Sequence, residues 1–168
     1  MMPVKEPKEL FVLLLSNVRH GAERARNVYH EMSDAAEHPE VKEALNARAF
    51  VSDKVVEKLD ECFEIIGEQP MESCGSVHDA LVEEFRGELS EMQSPEVRHL
   101  YILAKAHQLN HFRMGEYAFL IEAADNMGHY GVGLLLASCL ADKMAFVERT
   151  RHLIRKIVQG KVEMRIAA

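Results

Sequence analysis

Glu23, Arg48, Asn110, Arg113 and Asp142 are charged or amide residues set inside otherwise apolar helical stripes, and they are where this chain could do chemistry. When four helices pack as a bundle, polar groups near mid-helix can converge on one core layer. Proteins of that build often hold a pair of metal ions there with glutamates and Glu-x-x-His pairs. Here two of the five side chains are guanidinium groups, which repel a cation. Two acids and two arginines sum to zero charge, so the set could close on itself as an ion-pair network. Buried charges persist only when paired or bound to metal. The first reading is therefore a closed Arg–carboxylate network, with a metal site as the alternative.

Other groups carry weaker signals. His107 and His111 stand i, i+4 on one helix face and could seed a metal site with His20 or Glu23. A lone His-x-x-x-His is more often ordinary hydrogen bonding at a half-buried seam. His20, Glu23, Asn27 and His30 form a polar stripe that reads as solvated or subunit-facing, and Glu116 reads as a carboxylate at the core's edge. Nine methionines fill irregular gaps and imply no cofactor. No phosphate-cradling glycine loop, nucleophile elbow or Cys–His signature is present, so the chain reads as non-catalytic.

The elements that must position these residues follow from apolar periodicity. Helix A is expected over residues 7–37 and helix B over 40–66, parted by His38-Pro39, with Gly67 ending the second. A short helix is expected over 78–92. Ser94-Pro95-Glu96 opens helix C, expected over 95–127, and Gly128 ends it. Helix D is expected over 130–158, and residues 1–6 read as a tail. Two tight hairpins joined by one long crossover make a single all-α domain over 1–168, an antiparallel four-helix bundle of ferritin-like connectivity with a short extra helix in the crossover. Glu23 and Ser52 stand 15 and 14 residues from His38, and Arg113 and Asp142 stand 15 and 14 from Gly128. At about 1.5 Å per residue these four fall at similar heights.

Composition agrees with a compact helical domain: 168 residues, 48% hydrophobic, with helix-favouring Ala, Leu, Glu, Lys and Arg frequent. A net charge of −7 argues against nucleic acid as a partner. Acids crowd Glu57–Glu96 (12 against 2 bases) and bases crowd Arg149–Ala168 (6 against 1 acid), which reads first as a solvated face and second as complementary self-association. Cys62, Cys74 and Cys139 have no CxxC spacing, and no secretory or bilayer-spanning segment is evident. The expectation is a soluble cytoplasmic protein with reduced thiols.

The chain resembles the YciE/YciF group of ferritin-like bacterial proteins, often associated with stress responses, from about Leu10 to Ile157. The resemblance rests on Gly21-Ala22-Glu23-Arg24, on Pro39-Glu40-Val41-Lys42-Glu43-Ala44-Leu45, on the Leu59–Gly67 stretch, and on the segment of helix C around Tyr117. It implies a glutamate in helix A, His-x-x-Glu-Thr in helix B, Glu-x-x-Glu before a tyrosine in helix C, and acidic pairs in helix D. Glu23 matches the first. The helix B pair falls on Arg48 and Val51, the helix C pair on Asn110 and Arg113, and the helix D pair on Ala141 and Asp142. The resemblance thus implies a degenerate di-metal site, with iron as the alternative cofactor, and pairing into a homodimer through helix faces. A third reading, a small-molecule carrier, would need a large internal cavity.

Overall fold

The computed structural model describes residues 4–72 and 76–166. Residues 1–3 of the expected tail and Cys74 lie outside that set. Five helices follow in order: α1 (Pro7–Ala35), α2 (Pro39–Ile66), α3 (Ser76–Leu89), α4 (Pro95–Asn126) and α5 (Tyr130–Ile166). Each expected helix is present. The largest difference is at the end of α5, which continues past 158 through Gly160, because a single glycine costs a helix only about 1 kcal/mol.

Local chemistry sets the ends. Pro7, Pro39 and Pro95 each stand in a first turn, where a missing N–H costs nothing. The Glu9 carboxylate accepts the backbone N–H groups of Lys5 (2.7 Å) and Glu6 (3.2 Å), and Ser94 Oγ accepts that of Val97 (3.3 Å). Gly67 (φ 68°) and Gly128 (φ 80°) take the left-handed conformation that closes α2 and leads into α5.

The four long helices form a bundle in which α1 packs on α2, α2 on α5, α5 on α4, and α4 on α1, while α3 lies against α4. Ion pairs fasten α3 to the groove: Arg24–Asp79, Arg86–Glu31 (2.8 Å), and Lys105 with Glu84 (2.7 Å) and Glu88 (3.3 Å). By length and composition the Tyr130–Gly160 stretch of α5 could span a bilayer. Here Val132, Leu136, Cys139, Phe146 and Leu153 are buried in the bundle, so it is a core helix.

The apolar core comes in two bodies. One gathers Tyr29, Met32, Val41, Leu45, Phe85, Ile102 and Leu103; the other gathers Phe11, Leu15, Val18, Leu59, Tyr117, Leu120 and Leu136. Between them, at mid-bundle, lies the polar layer.

Candidate functional site

Arg48 from α2, Asn110 and Arg113 from α4, and Lys143 from α5 meet in that layer, none more than 6% exposed. With Gly21, Tyr29, Ser52 and Tyr117 they line or border a cavity of about 10 Å³ between the long helices, room for one water-sized occupant. The α1 and α2 stripes read from the sequence hold: Phe11, Leu15, Val18, Ala22, Ala25, Tyr29 and Met32 are buried, as are Val41, Leu45, Arg48, Ser52, Val55, Leu59 and Cys62.

The two expected carboxylates do not enter the layer. Glu23 is exposed beside the buried Ala22 and pairs with Arg19 (2.7 Å). Asp142 is half-exposed and lies 3.4 Å from Lys58 Nζ. Both were placed one residue from the inward position. On an α-helix that error turns a side chain by about 100°, enough to carry it from core to rim. On α5 the neighbour, Lys143, takes the inward place. The ion-pair network expected from Glu23, Arg48, Arg113 and Asp142 is therefore not formed among them.

Arg113 is the best-held member. Its Nη1 donates to Glu116 Oε2 (2.8 Å) and its Nη2 to His78 Nδ1 (3.1 Å). Glu116, read as a rim carboxylate, is thus a direct partner. His78 is 2% exposed, and burial together with the nearby guanidinium of Arg113 lowers its pKa to about 4. The ring is neutral at pH 7 and accepts from Arg113. Gly21 makes room: a Cβ there would overlap the Arg113 guanidinium. Asn110 Nδ2 donates to the backbone carbonyl of Lys143 (2.9 Å), tying α4 to α5 at this height.

Arg48 and Lys143 lie against aromatic rings, and Arg48 is also a hydrogen-bond partner of the Tyr29 hydroxyl. The Arg48 guanidinium carbon stands 5.3 Å from the Tyr29 ring centre and 5.9 Å from that of Phe146, and Lys143 Nζ stands 4.7 Å from that of Tyr117. Among the described residues no carboxylate lies within ion-pair distance of either cation. Nε and Nη1 of Arg48, Nε of Arg113, Oδ1 of Asn110 and the Tyr117 hydroxyl are buried with no protein partner. Burial, reinforced by the charge of Arg48, pushes the Lys143 ammonium well below its usual pKa, and burial raises the phenol of Tyr117 well above its own.

The sequence offered no signal for His78, which reaches the layer from the crossover helix. Lys143 was findable, because 139 to 143 to 146 is as regular a helical spacing as 139 to 142 to 146.

The remaining candidates lie elsewhere. His107 and His111 do meet, their rings stacked 4.3 Å apart, and His107 Nδ1 is 3.2 Å from Thr150 Oγ1, outside the layer. His20 is half-exposed, 4.0 Å from Glu23. Val51, on the position matched to a helix B glutamate, is a partly buried packing residue. Among the described residues no three His, Cys, Asp or Glu side chains gather closely enough to hold a metal ion. The family resemblance implies iron at mid-bundle. The groups that line the cavity are instead two guanidinium groups, which have no lone pair to give, the Lys143 amine, and the neutral hydroxyls of Tyr29, Ser52 and Tyr117, with no carboxylate or imidazole among them. This donor set does not fit a divalent cation.

A helical bundle with a short helix over its crossover and a cationic mid-layer is the class that fold and site define. Over residues 6–163 the chain matches the family DUF892, a domain of unknown function, and it belongs to that family. It is 21% identical to Protein YciF of Escherichia coli over 163 residues, 96% of this chain and 98% of that one. The crystal structure of the E. coli stress protein YciF shares its fold at a TM-score of 0.89, with 19% identity over 93% of this chain and 99% of that chain. YcfI from Rhodopseudomonas palustris matches at 0.85, with 20% identity over 88% and 94%. The resemblance to the YciE/YciF group is thereby confirmed.

Proposed function

We propose that this protein is a non-catalytic, ferritin-like member of its family that acts through self-association and carries a cationic layer where the resemblance places a di-metal site. The observation that carries the reading is the convergence of Arg48, Arg113 and Lys143 on one cavity. A catalytic metal centre needs electron-pair donors at that height, and these side chains offer N–H groups. The relative YciF is described as a stress protein, which supports a stress association for this chain. Buried, unpaired Cys62 and Cys139 support a reducing, cytosolic setting. A cavity near 10 Å³ is far below the ~300 Å³ of an ordinary ligand pocket, so carriage of an organic molecule in the core is disfavoured.

Self-association is assigned to a homodimer through the outward face of α5. Tyr130 (67% exposed), Leu134 (73%) and Met144 (54%) lie there with exposed Ala137 and Ala141 at helical spacing. A run of that kind is unusual on a solvated helix. Neither nucleic acid nor a bilayer enters the reading as a partner.

The alternative, a metal-binding redox protein, draws on the His107–His111 pair. Elemental analysis of protein purified without added metal, combined with sedimentation analysis, separates the two. The expected result is no stoichiometric iron or manganese, and a dimer that Leu134→Glu dissociates. One metal equivalent per chain would overturn the non-metal reading. A monomer in runs up to about 1 mM, where a dimer with a Kd of about 10 μM (about −7 kcal/mol) would be largely formed, would overturn the self-association.

A further inference from the structure

We propose that the mid-bundle cavity is a binding site for a monatomic halide-class anion, chloride being the common one, held by N–H donors of Arg48 and Arg113 and by the Lys143 ammonium. This rests on the reading of the layer as cationic rather than metal-binding.

Charge is the first argument. Three basic side chains at most 6% exposed line the cavity, and among the described residues the carboxylate paired with any of them is Glu116, on Arg113. Glu23 and Asp142, which could have neutralised the rest, are engaged at the rim by Arg19 and Lys58. Apolar bodies lie on either side of the layer and the three cations are almost fully buried, so solvent screens the excess weakly. Uncompensated charge in such a place costs several kcal/mol per ion. A bound anion removes most of that cost at once, while a water supplies acceptors and no charge.

Hydrogen-bonding capacity points the same way. Nε and Nη1 of Arg48 and Nε of Arg113 are buried donors with no protein acceptor. Protein acceptors in the layer are few and neutral: His78 Nδ1 is taken by Arg113, the Tyr29 hydroxyl is a hydrogen-bond partner of Arg48, Ser52 Oγ donates to the Arg48 carbonyl (3.1 Å), and Asn110 Oδ1 is buried without a partner. The Tyr117 hydroxyl, also without a partner, adds a further donor. A surplus of donors round a small space is the complement of an anion, as oxyanion and phosphate sites are.

Size then selects among anions. About 10 Å³ accommodates one water-sized particle. Phosphate, sulfate and carboxylates need several heavy atoms' worth of room, which a space this small, walled on its apolar side by Val18, Val55 and Leu109, does not give. A single spherical ion fits both the volume and the donors of Arg48, Arg113 and Lys143 that line it.

Two measurements test the site. The protein is refolded and crystallised in sodium bromide, and an anomalous map is collected at the bromine edge, with a second at the iron edge. The expected result is a bromine peak within hydrogen-bond reach of Arg48 Nε and Lys143 Nζ. In parallel, unfolding is followed in chloride against gluconate at equal ionic strength. Gluconate screens charge equally and is too large to enter. Chloride at 100 times its Kd should raise the folded-to-unfolded ratio about 100-fold. Arg48→Met, which removes the guanidinium with both of its unpartnered nitrogens at similar volume, should abolish that dependence. If Arg48→Met does not fold, Lys143→Met serves the same purpose, and the bromine map needs only the wild-type chain. Bromine confined to the surface, a water in the cavity, or melts identical in chloride and gluconate would each overturn the anion site alone. An iron peak at the layer would overturn the proposed function with it.

Discussion

Gly21 on α1 and Arg113 on α4 share one space: the hydrogen at Gly21 Cα leaves the room that the Arg113 guanidinium fills. That relationship explains a glycine in mid-helix, where it would otherwise cost about 1 kcal/mol against alanine. Gly21→Ala sets that gain against displacement of a guanidinium fastened by Glu116 and His78. Losing a buried charged hydrogen bond costs about 1.5–3 kcal/mol, so the net effect should be destabilising by about 1–2 kcal/mol. Gly115→Ala, on the open face of α4 with nothing near its Cβ, should instead stabilise by up to about 1 kcal/mol. Denaturant melts of the two variants check both signs. Equal effects would mean that Arg113 moves aside without penalty.

Acid should destabilise the fold earlier than its carboxylates alone would. His78 is held neutral with a pKa of about 4, and burial also lowers those of His99 and His107. Nε2 of His99 accepts the backbone N–H groups of Glu37 and His38 (3.1 Å each), a role a protonated ring cannot fill. In the unfolded chain these groups titrate near 6.5. Between that value and about 4 the unfolded state binds more protons, so stability is full above pH 6.5 and falls as pH drops through this window. His78 alone should contribute on the order of 2 kcal/mol after allowance for partial solvent screening. Urea midpoints at pH 7 and pH 5 measure it, and His78→Gln should flatten the difference.

How far the sequence reached is visible at single residues. Apolar spacing placed the α1 and α2 stripes correctly, because both helices bury one face along their whole length. On α4 and α5 the pattern is diluted: α4 buries neighbours such as Ile102 with Leu103 and Leu109 with Asn110, since it meets α1, α3 and α5 on different sides. That breadth made Asp142 and Lys143 equally good inward candidates, and a choice of one residue reversed the charge of the layer. His78 was beyond reach for another reason: its docking depends on Arg24–Asp79 and the Lys105 pairs, which link segments far apart in the chain.

Those same pairs should control the docking of α3. The Lys105 side chain is 10% exposed, bridges Glu84 and Glu88, and lies 5.4 Å from the Tyr101 ring centre. Lys105→Met keeps most of the packing and removes the bridge, which is worth about 1–3 kcal/mol for a charged, mostly buried contact. Limited proteolysis should then cut the 67–75 connection faster than in the wild type, by roughly tenfold for each 1.4 kcal/mol lost. Unchanged cleavage would assign α3 docking to Val82 and Phe85 alone.

Cys62 and Cys139 should be inert in the folded protein. Both are fully buried, and burial raises their thiol pKa values, that of Cys62 to about 12. Since the thiolate is the reactive form, alkylation at pH 8 should proceed only through opening of the bundle. In a Cys74→Ser background, native protein should label at least 1,000-fold more slowly than protein in denaturant, on the order expected from an unfolding free energy above about 4 kcal/mol. Rapid native labelling would show that this end of the bundle opens locally.

Lys143 gives the sharpest sign test of the layer. Had the basic residues been neutralised by Glu23 and Asp142, removing one of them would strand a carboxylate and cost about 3–5 kcal/mol. Lys143 has an aromatic face and no carboxylate within ion-pair distance among the described residues, and burial with the charge of Arg48 already disfavours its protonated form. An apolar side chain of similar length relieves that desolvation and the repulsion together. Lys143→Met should therefore stabilise the fold in chloride-free buffer by about 1–4 kcal/mol, raising Tm by roughly 2–4 °C per kcal/mol for a chain of this size. The gain should shrink as chloride rises, because the wild type alone acquires stabilisation from the anion. A variant less stable than wild type without chloride would mean that Lys143 has a buried negative partner, and the layer would then be closed by the protein itself.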